Sequence, residues 1–146
     1  MISYLASPFA VIYPLPVNLA SRILFDKKFI FVKFSTHETI SPKLASCKKL
    51  LLYISGKNKE IAGEADIVSI SLMTLCEVVS AYSNNLFLTE DELRKYSNGR
   101  DAKKMMVFEI SQIKRYSEPK ELGHGITMVG EYISIEEYDA LVGDLN

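Results

Sequence analysis

Tyr53, Ser55, Lys57 and Lys59 lie within seven residues, where the apolar run Leu50–Ile54 gives way to a Gly-Lys-Asn-Lys turn. A tyrosine ring can stack on a base, a hydroxyl can hydrogen-bond its edge, and ammonium groups pair with phosphate. Such stacking contributes about 1–3 kcal/mol per base. Strand alternation assigns Tyr53 and Ser55 to one face, so the two are expected to act together. Upstream, Lys27 and Lys28 close a helical pattern, and Lys33 shares the odd-numbered face of the next apolar run with Phe29 and Phe31. A ring, a hydroxyl and several cations suit a nucleotide better than the chemistry of a protease or a kinase.

Other reactive residues are less suggestive. Glu64 and Asp66 alternate onto one strand face and have the spacing of an acid–base pair, but no nucleophile adjoins them. His37 and His124 are isolated in sequence; His124, between Gly123 and Gly125, is the better placed to meet a ligand. Cys47 and Cys76 lie near neither a second thiol nor a histidine at metal-ligand spacing, so they read as small buried residues of an intracellular protein. No catalytic residue, metal or cofactor is expected from these patterns.

The elements that must position these residues follow from periodicity and punctuation. Phe9–Tyr13 reads as a first strand, stopped by Pro14 and Pro16 because proline has no N–H to donate. Val17, Ala20 and Ile23 or Leu24 recur at helical spacing up to the turn at Lys27-Lys28. Phe29–Phe34 is a strand, and Ser35–Ser46 a polar connection. The segment Leu50–Ile70 is a β-hairpin. Its second strand changes apolar face near Ile67-Val68, as a bulge would cause, and Gly63 would ease the bend. Leu75, Val78, Val79 and Tyr82 mark a helix. Thr89–Glu92 and Ser134–Glu137 have the form of capping boxes opening two more. Between those two helices, Lys104–Tyr116 and Ile126–Ile133 read as strands.

The order strand, helix, three strands, two helices, two strands, helix points to an α+β fold. The expectation is a small mixed, partly closed β-barrel of five or six strands with peripheral helices. With 146 residues and 48% hydrophobic content, one domain over residues 1–146 is the default. A net charge of −1 excludes a simple polycation. The distribution is uneven: residues 1–60 hold nine Lys and Arg against three Asp and Glu, and the remainder eight against fifteen. The apolar N-terminus lacks a basic leader segment and is broken by prolines, and no run reaches membrane-spanning length. A soluble, cytoplasmic protein is expected.

Four segments carry a resemblance to the PUA-like superfamily, which includes PUA, ASCH, EVE and YTH domains. Pro16–Lys33, PVNLASRILFDKKFIFVK, resembles the ASCH and EVE opening, a helix ending in a basic turn that feeds a strand. Leu52–Gly56 followed by Ile61–Ala65 resembles the EVE hairpin. Leu88–Tyr96, LTEDELRKY, resembles the second half of small ASCH-like proteins, and Met128–Ser134 looks like an uncharacterised, mainly archaeal family of the group. The resemblance implies a barrel with a cleft beside the helices that holds RNA or a nucleobase. Lys27, Lys28 and Lys33 would border that cleft, and Tyr53 and Ser55 would lie at its floor or rim. Two departures narrow this: the chain has no tryptophan for a YTH-like cage, and no hydroxyl follows three positions after Lys27 or Lys28, as ASCH amidohydrolases would require.

The expected function is thus a non-enzymatic RNA- or nucleotide-binding module. Lys27, Lys28, Lys33, Lys57 and Lys59 would neutralise phosphate while Tyr53 and Ser55 contact a base. The alternative is a small hydrolase acting on a modified nucleoside, with Lys28 and Glu64 as its chemical groups. An interaction protein or homodimer whose acidic second half meets a partner is a third expectation.

Overall fold

The structure, a computed structural model, describes residues 7–35, 37–56 and 59–143. Lys57, one of the expected phosphate contacts, lies outside them. Six strands form one sheet: β1 (Ala10–Leu15), β2 (Ile30–Lys33), β3 (Lys49–Ile54), β4 (Glu60–Met73), β5 (Met105–Glu121) and β6 (Glu131–Ile133). Their spatial order is β2-β5-β4-β3-β1-β6. Only β1 and β3 run parallel; the other neighbours are antiparallel.

The central strands β1 and β3 are buried on both faces, which is why AVIYPL and KLLLYI read as continuous apolar runs rather than alternating ones. Val11, Tyr13, Leu50 and Leu52 face the main core. Ala10, Ile12, Leu51 and Tyr53 face a second cluster under the last helix. β1 runs past the stop expected at Pro14, pairing Pro14 with Tyr53 and Leu15 with Ile54. It can do so because β6 flanks only Ala10–Ile12, so no strand on that side asks Pro14 for an N–H.

β4 and β5 form a long ribbon with register shifts between Ile61 and Gly63, Glu64 and Asp66, and Ile67 and Ser69. The last shift is the face change read from the sequence at Ile67-Val68. Bulges of this kind increase local twist, and the sheet curls until the Tyr13 ring of β1 stacks on Phe31 of β2, centroids 5.9 Å apart. Those strands stand four places apart in the sheet order. The curl nevertheless stops short of the expected closure. β2 and β6 remain the two ends, of four and three residues, with no ladder between them. The fold is an open, strongly coiled mixed sheet rather than a barrel.

Helices occupy the periphery: α1 (Val17–Leu24), α2 (Pro42–Ala45), α3 (Leu75–Tyr82), α4 (Glu90–Ser97) and α5 (Ile135–Val142). The short α2 replaces part of the expected polar connection; Ser41 caps it, its Oγ accepting from the Leu44 N–H at 3.2 Å, and Pro42 opens it. Capping boxes open α4 and α5 as expected, and a third, Thr74 with Glu77, opens α3. Arg22 of α1 forms a two-pronged ion pair with Glu92 of α4, one prong at 3.0 Å, joining the two helices. Among the described residues no helix is long and apolar enough to cross a membrane.

Candidate functional site

Two clefts of about 480 and 470 Å³ open where the end of β2 meets α4 and the turn before β6. Lys33, Tyr96 and Met128 line both, so the two form one continuous groove. The first is largely apolar, walled by Leu19, Phe31, Phe87 and Met128, with Ser55, Glu92 and Lys95 at its edges. The second is more polar, walled by His37, Thr39, Ser41, Arg100 and Tyr132. A third cleft, of about 320 Å³, lies apart between α1 and the β4–β5 ribbon, lined by Val17, Phe25, Arg115 and Tyr116.

Lys33 occupies the last position of β2, half-buried, with its ammonium 4.9 Å above the Tyr13 ring. Among the described residues no carboxylate pairs with it, and burial holds its pKa below the usual lysine value. Burial likewise pushes the Tyr13 phenol well above its usual value, so it stays neutral. Tyr96 is fixed from the other side: its hydroxyl accepts from the Phe34 N–H at 2.9 Å, and its ring lies 5.1 Å from that of Phe34. Arg100 stacks 4.0 Å over Phe34 while donating to the carbonyls of Ser97 and Tyr96, at 2.8 and 2.7 Å. The carboxylate at the groove, Glu92, is already committed. Its bonds to Arg22, then to the Thr89 N–H, lower its pKa to about 2, so its charge is held at the α1–α4 joint.

The sequence-expected residues divide between places. Lys33 and Ser55 line the same cleft. Tyr53, by contrast, is 4% exposed and packs with Leu51, Ile61 and Tyr116 in the second cluster, away from that cleft. Lys27 adopts a positive φ of 58° in the turn after α1 and reaches the Ile113 carbonyl at 3.4 Å. The Lys28 ammonium donates to the Asn84 carbonyl at 2.7 Å. Lys59 is exposed at the β3–β4 hairpin, where its carbonyl accepts from the Leu122 N–H at 2.8 Å. Lys27, Lys28 and Lys59 line none of the three clefts.

Glu64 sits in a polar knot under α5. It is 5% exposed and accepts from the hydroxyls of Tyr116 and Tyr138, each at 2.7 Å, while Lys49 lies 3.0 Å away. Burial raises its pKa, but the two hydroxyls and Lys49 together outweigh that and leave it below the usual carboxylate value. Asp66 lies 2.7 Å from the same ammonium, a close ionic contact off the hydrogen-bond axis. Glu64 and Lys28 are therefore held by different groups and share no cleft. His124 pairs with Glu131 at 3.0 Å beside β6.

Lys95, Tyr96, Arg100 and Met128 are among the groove residues that the sequence reading did not name as site candidates. A signal existed: Glu92, Lys95 or Tyr96, and Arg100 recur at helical intervals after the capping box. Nothing local to LTEDELRKYSNGR says which element that face meets.

Residues 8–135 match the family described as Domain of unknown function (DUF365). The chain belongs to that family. The DUF365 chain is also 30% identical over 107 residues to an uncharacterized protein, MJECS03, of Methanocaldococcus jannaschii, covering 66% of this chain and 99% of that protein. In structure it is similar to the ASCH protein of Zymomonas mobilis, with TM-score 0.75 at 20% identity over 92% of this chain and 94% of that one. A variant of that ASCH protein reaches 0.79 at 19% identity, over 97% and 100%. The N-terminal domain of Staphylothermus marinus McrB gives 0.58 at 15% identity, over 92% of each. At these identities the likeness concerns the fold alone, which is ASCH-like.

Proposed function

We propose that the groove binds RNA, with Lys33 as its central phosphate contact, Lys95 and Arg100 as flanking cations, and Ser55 as a hydrogen-bonding group at the rim. The observation that carries this reading is the Lys33 ammonium, half-buried at the junction of two clefts with no counter-ion among the described residues. A desolvated cation without a partner is unfavourable, and a phosphate oxygen would relieve it. The ASCH-like fold supports RNA as the source of that phosphate. Lys27, Lys28 and Lys59 then act only as distant electrostatic support, and Tyr53 as the packed floor beneath the hairpin.

Filter binding against single-stranded and structured RNA at two or more salt concentrations tests the proposal. Three cations on phosphate predict a slope of log affinity against log salt of about −2. Lys33→Glu is expected to abolish binding, and Arg100→Gln to make the slope shallower by about 0.7. No binding at low salt, or wild-type affinity in Lys33→Glu, would sink the idea.

A further inference from the structure

Met128 and Val129 are apolar yet 63% and 81% exposed, and they stand at the mouth of the groove. They tip a turn closed by the Gly130 N–H bonding to the Thr127 carbonyl at 2.9 Å. The turn is firmly seated. Gly130 has φ +80°, and a Cβ there would meet the Tyr13 ring at 2.6 Å and the Ile12 carbonyl at 2.9 Å. The chain thus holds two apolar side chains out in water from a base packed onto the same tyrosine that underlies Lys33. Apolar groups presented at a cleft mouth mark the place where a ligand covers them.

Tyr96 meets the same groove from α4, and its hydroxyl, bonded to Phe34, fixes the ring. A fixed aromatic ring, an adaptable thioether and a cation at one junction have the chemistry for a flat, polarizable ligand face attached to an anion. Resting on the RNA-binding reading above, the geometry points to a clamp for one unpaired base. The base enters between Met128 and Tyr96, with its phosphate at Lys33 and the next phosphate toward Arg100. A base stacked and paired in a duplex cannot enter such a junction without being extruded, so the ligand is single-stranded.

The test uses the full chain and an oligonucleotide carrying 2-aminopurine, whose fluorescence falls when it stacks. The double variant Met128→Ala, Val129→Ala removes exposed side chains only, so its circular dichroism should match wild type. Its affinity is expected to fall roughly fivefold to fiftyfold with the salt slope unchanged and the quenching reduced. Met128→Leu should restore most of the affinity, and a duplex of the same sequence should bind at least tenfold more weakly. Wild-type affinity in the double variant, or equal binding of the duplex, overturns the clamp; if Lys33→Glu still abolishes binding, RNA recognition by the groove survives that result. Absence of RNA binding by the wild-type chain removes both.

Discussion

Glu64 and Lys33 are both ionised groups withdrawn from water, and the fold treats them in opposite ways. Glu64 is surrounded by Tyr116, Tyr138 and Lys49, so its charge is fully employed in pinning α5 to the sheet. Its depressed pKa means that the folded state binds fewer protons there than the unfolded chain. The stability this confers is present above the usual value of 4.5 and is lost as pH falls through the lower folded value. Glu64→Gln keeps an oxygen that can accept from both hydroxyls, which meet at Oε1, but loses the charge facing Lys49. It is expected to cost about 1–3 kcal/mol in urea unfolding at pH 7, with the deficit narrowing as the pH drops below 4.5. Lys33 has no such companions, and its lowered pKa means that the folded state disfavours its charge. Lys33→Met is therefore expected to raise stability by roughly 1 kcal/mol while RNA binding is lost. A destabilised variant would show that Lys33 is structural.

At the scale of elements, α4 is the helix that builds the groove, and its first turn serves two ends. Glu92 closes the capping box with Thr89 and also receives both prongs of Arg22. Thr89→Ala should cost about 1 kcal/mol. Glu92→Ala should cost more than that, because it frees α1 from α4 as well, and thermal melts of the two variants compare them directly. The ribbon makes a different demand at Gly63. A Cβ there would meet both Leu24 Cδ2 and the Lys114 carbonyl oxygen at 2.5 Å. The glycine is thus required by the close approach of β5, where the sequence had pointed to bending. A leucine tip can move but a paired strand's carbonyl cannot, so Gly63→Ala should destabilise by about 2–4 kcal/mol. Wild-type stability in this variant would mean that β5 passes farther from β4.

For the whole molecule, the decisive feature is the curl of the open sheet. It brings Tyr13 of β1 against Phe31 of β2, while strand pairing sets β2, from the basic first part of the chain, beside β5, from the acidic remainder. Strands from the two halves interleave in the sheet order. Lys33 comes from one half, and Lys95 and Arg100 from the other. RNA affinity should accordingly follow groove residues rather than net charge. Lys27→Glu combined with Lys59→Glu lowers the charge by four, and it is expected to change affinity by no more than about threefold at 0.15 M salt, where charges beyond about 8 Å are screened. A loss as large as that of Lys33→Glu would relocate the binding surface to the α1 turn and the hairpin.

Local chemistry in the chain was enough for the order of the main elements, the bulge near Ile67 and two of the capping boxes, because propensity, capping and side-chain period act over a few residues; the ASCH-like character of the fold came from the resemblance of four segments. Short-range cues also marked Lys33 as unusual, a lysine sharing a strand face with two phenylalanines. Which residues surround it was a tertiary matter. Tyr53 went inward because β1 and β3 are covered on both faces, a condition that their alternation alone does not reveal. Lys95, Tyr96, Arg100 and Met128 meet Lys33 from the α4 segment and the turn before β6, more than sixty residues away in the chain. The sheet stays open, since its two end strands are short and find no ladder with each other.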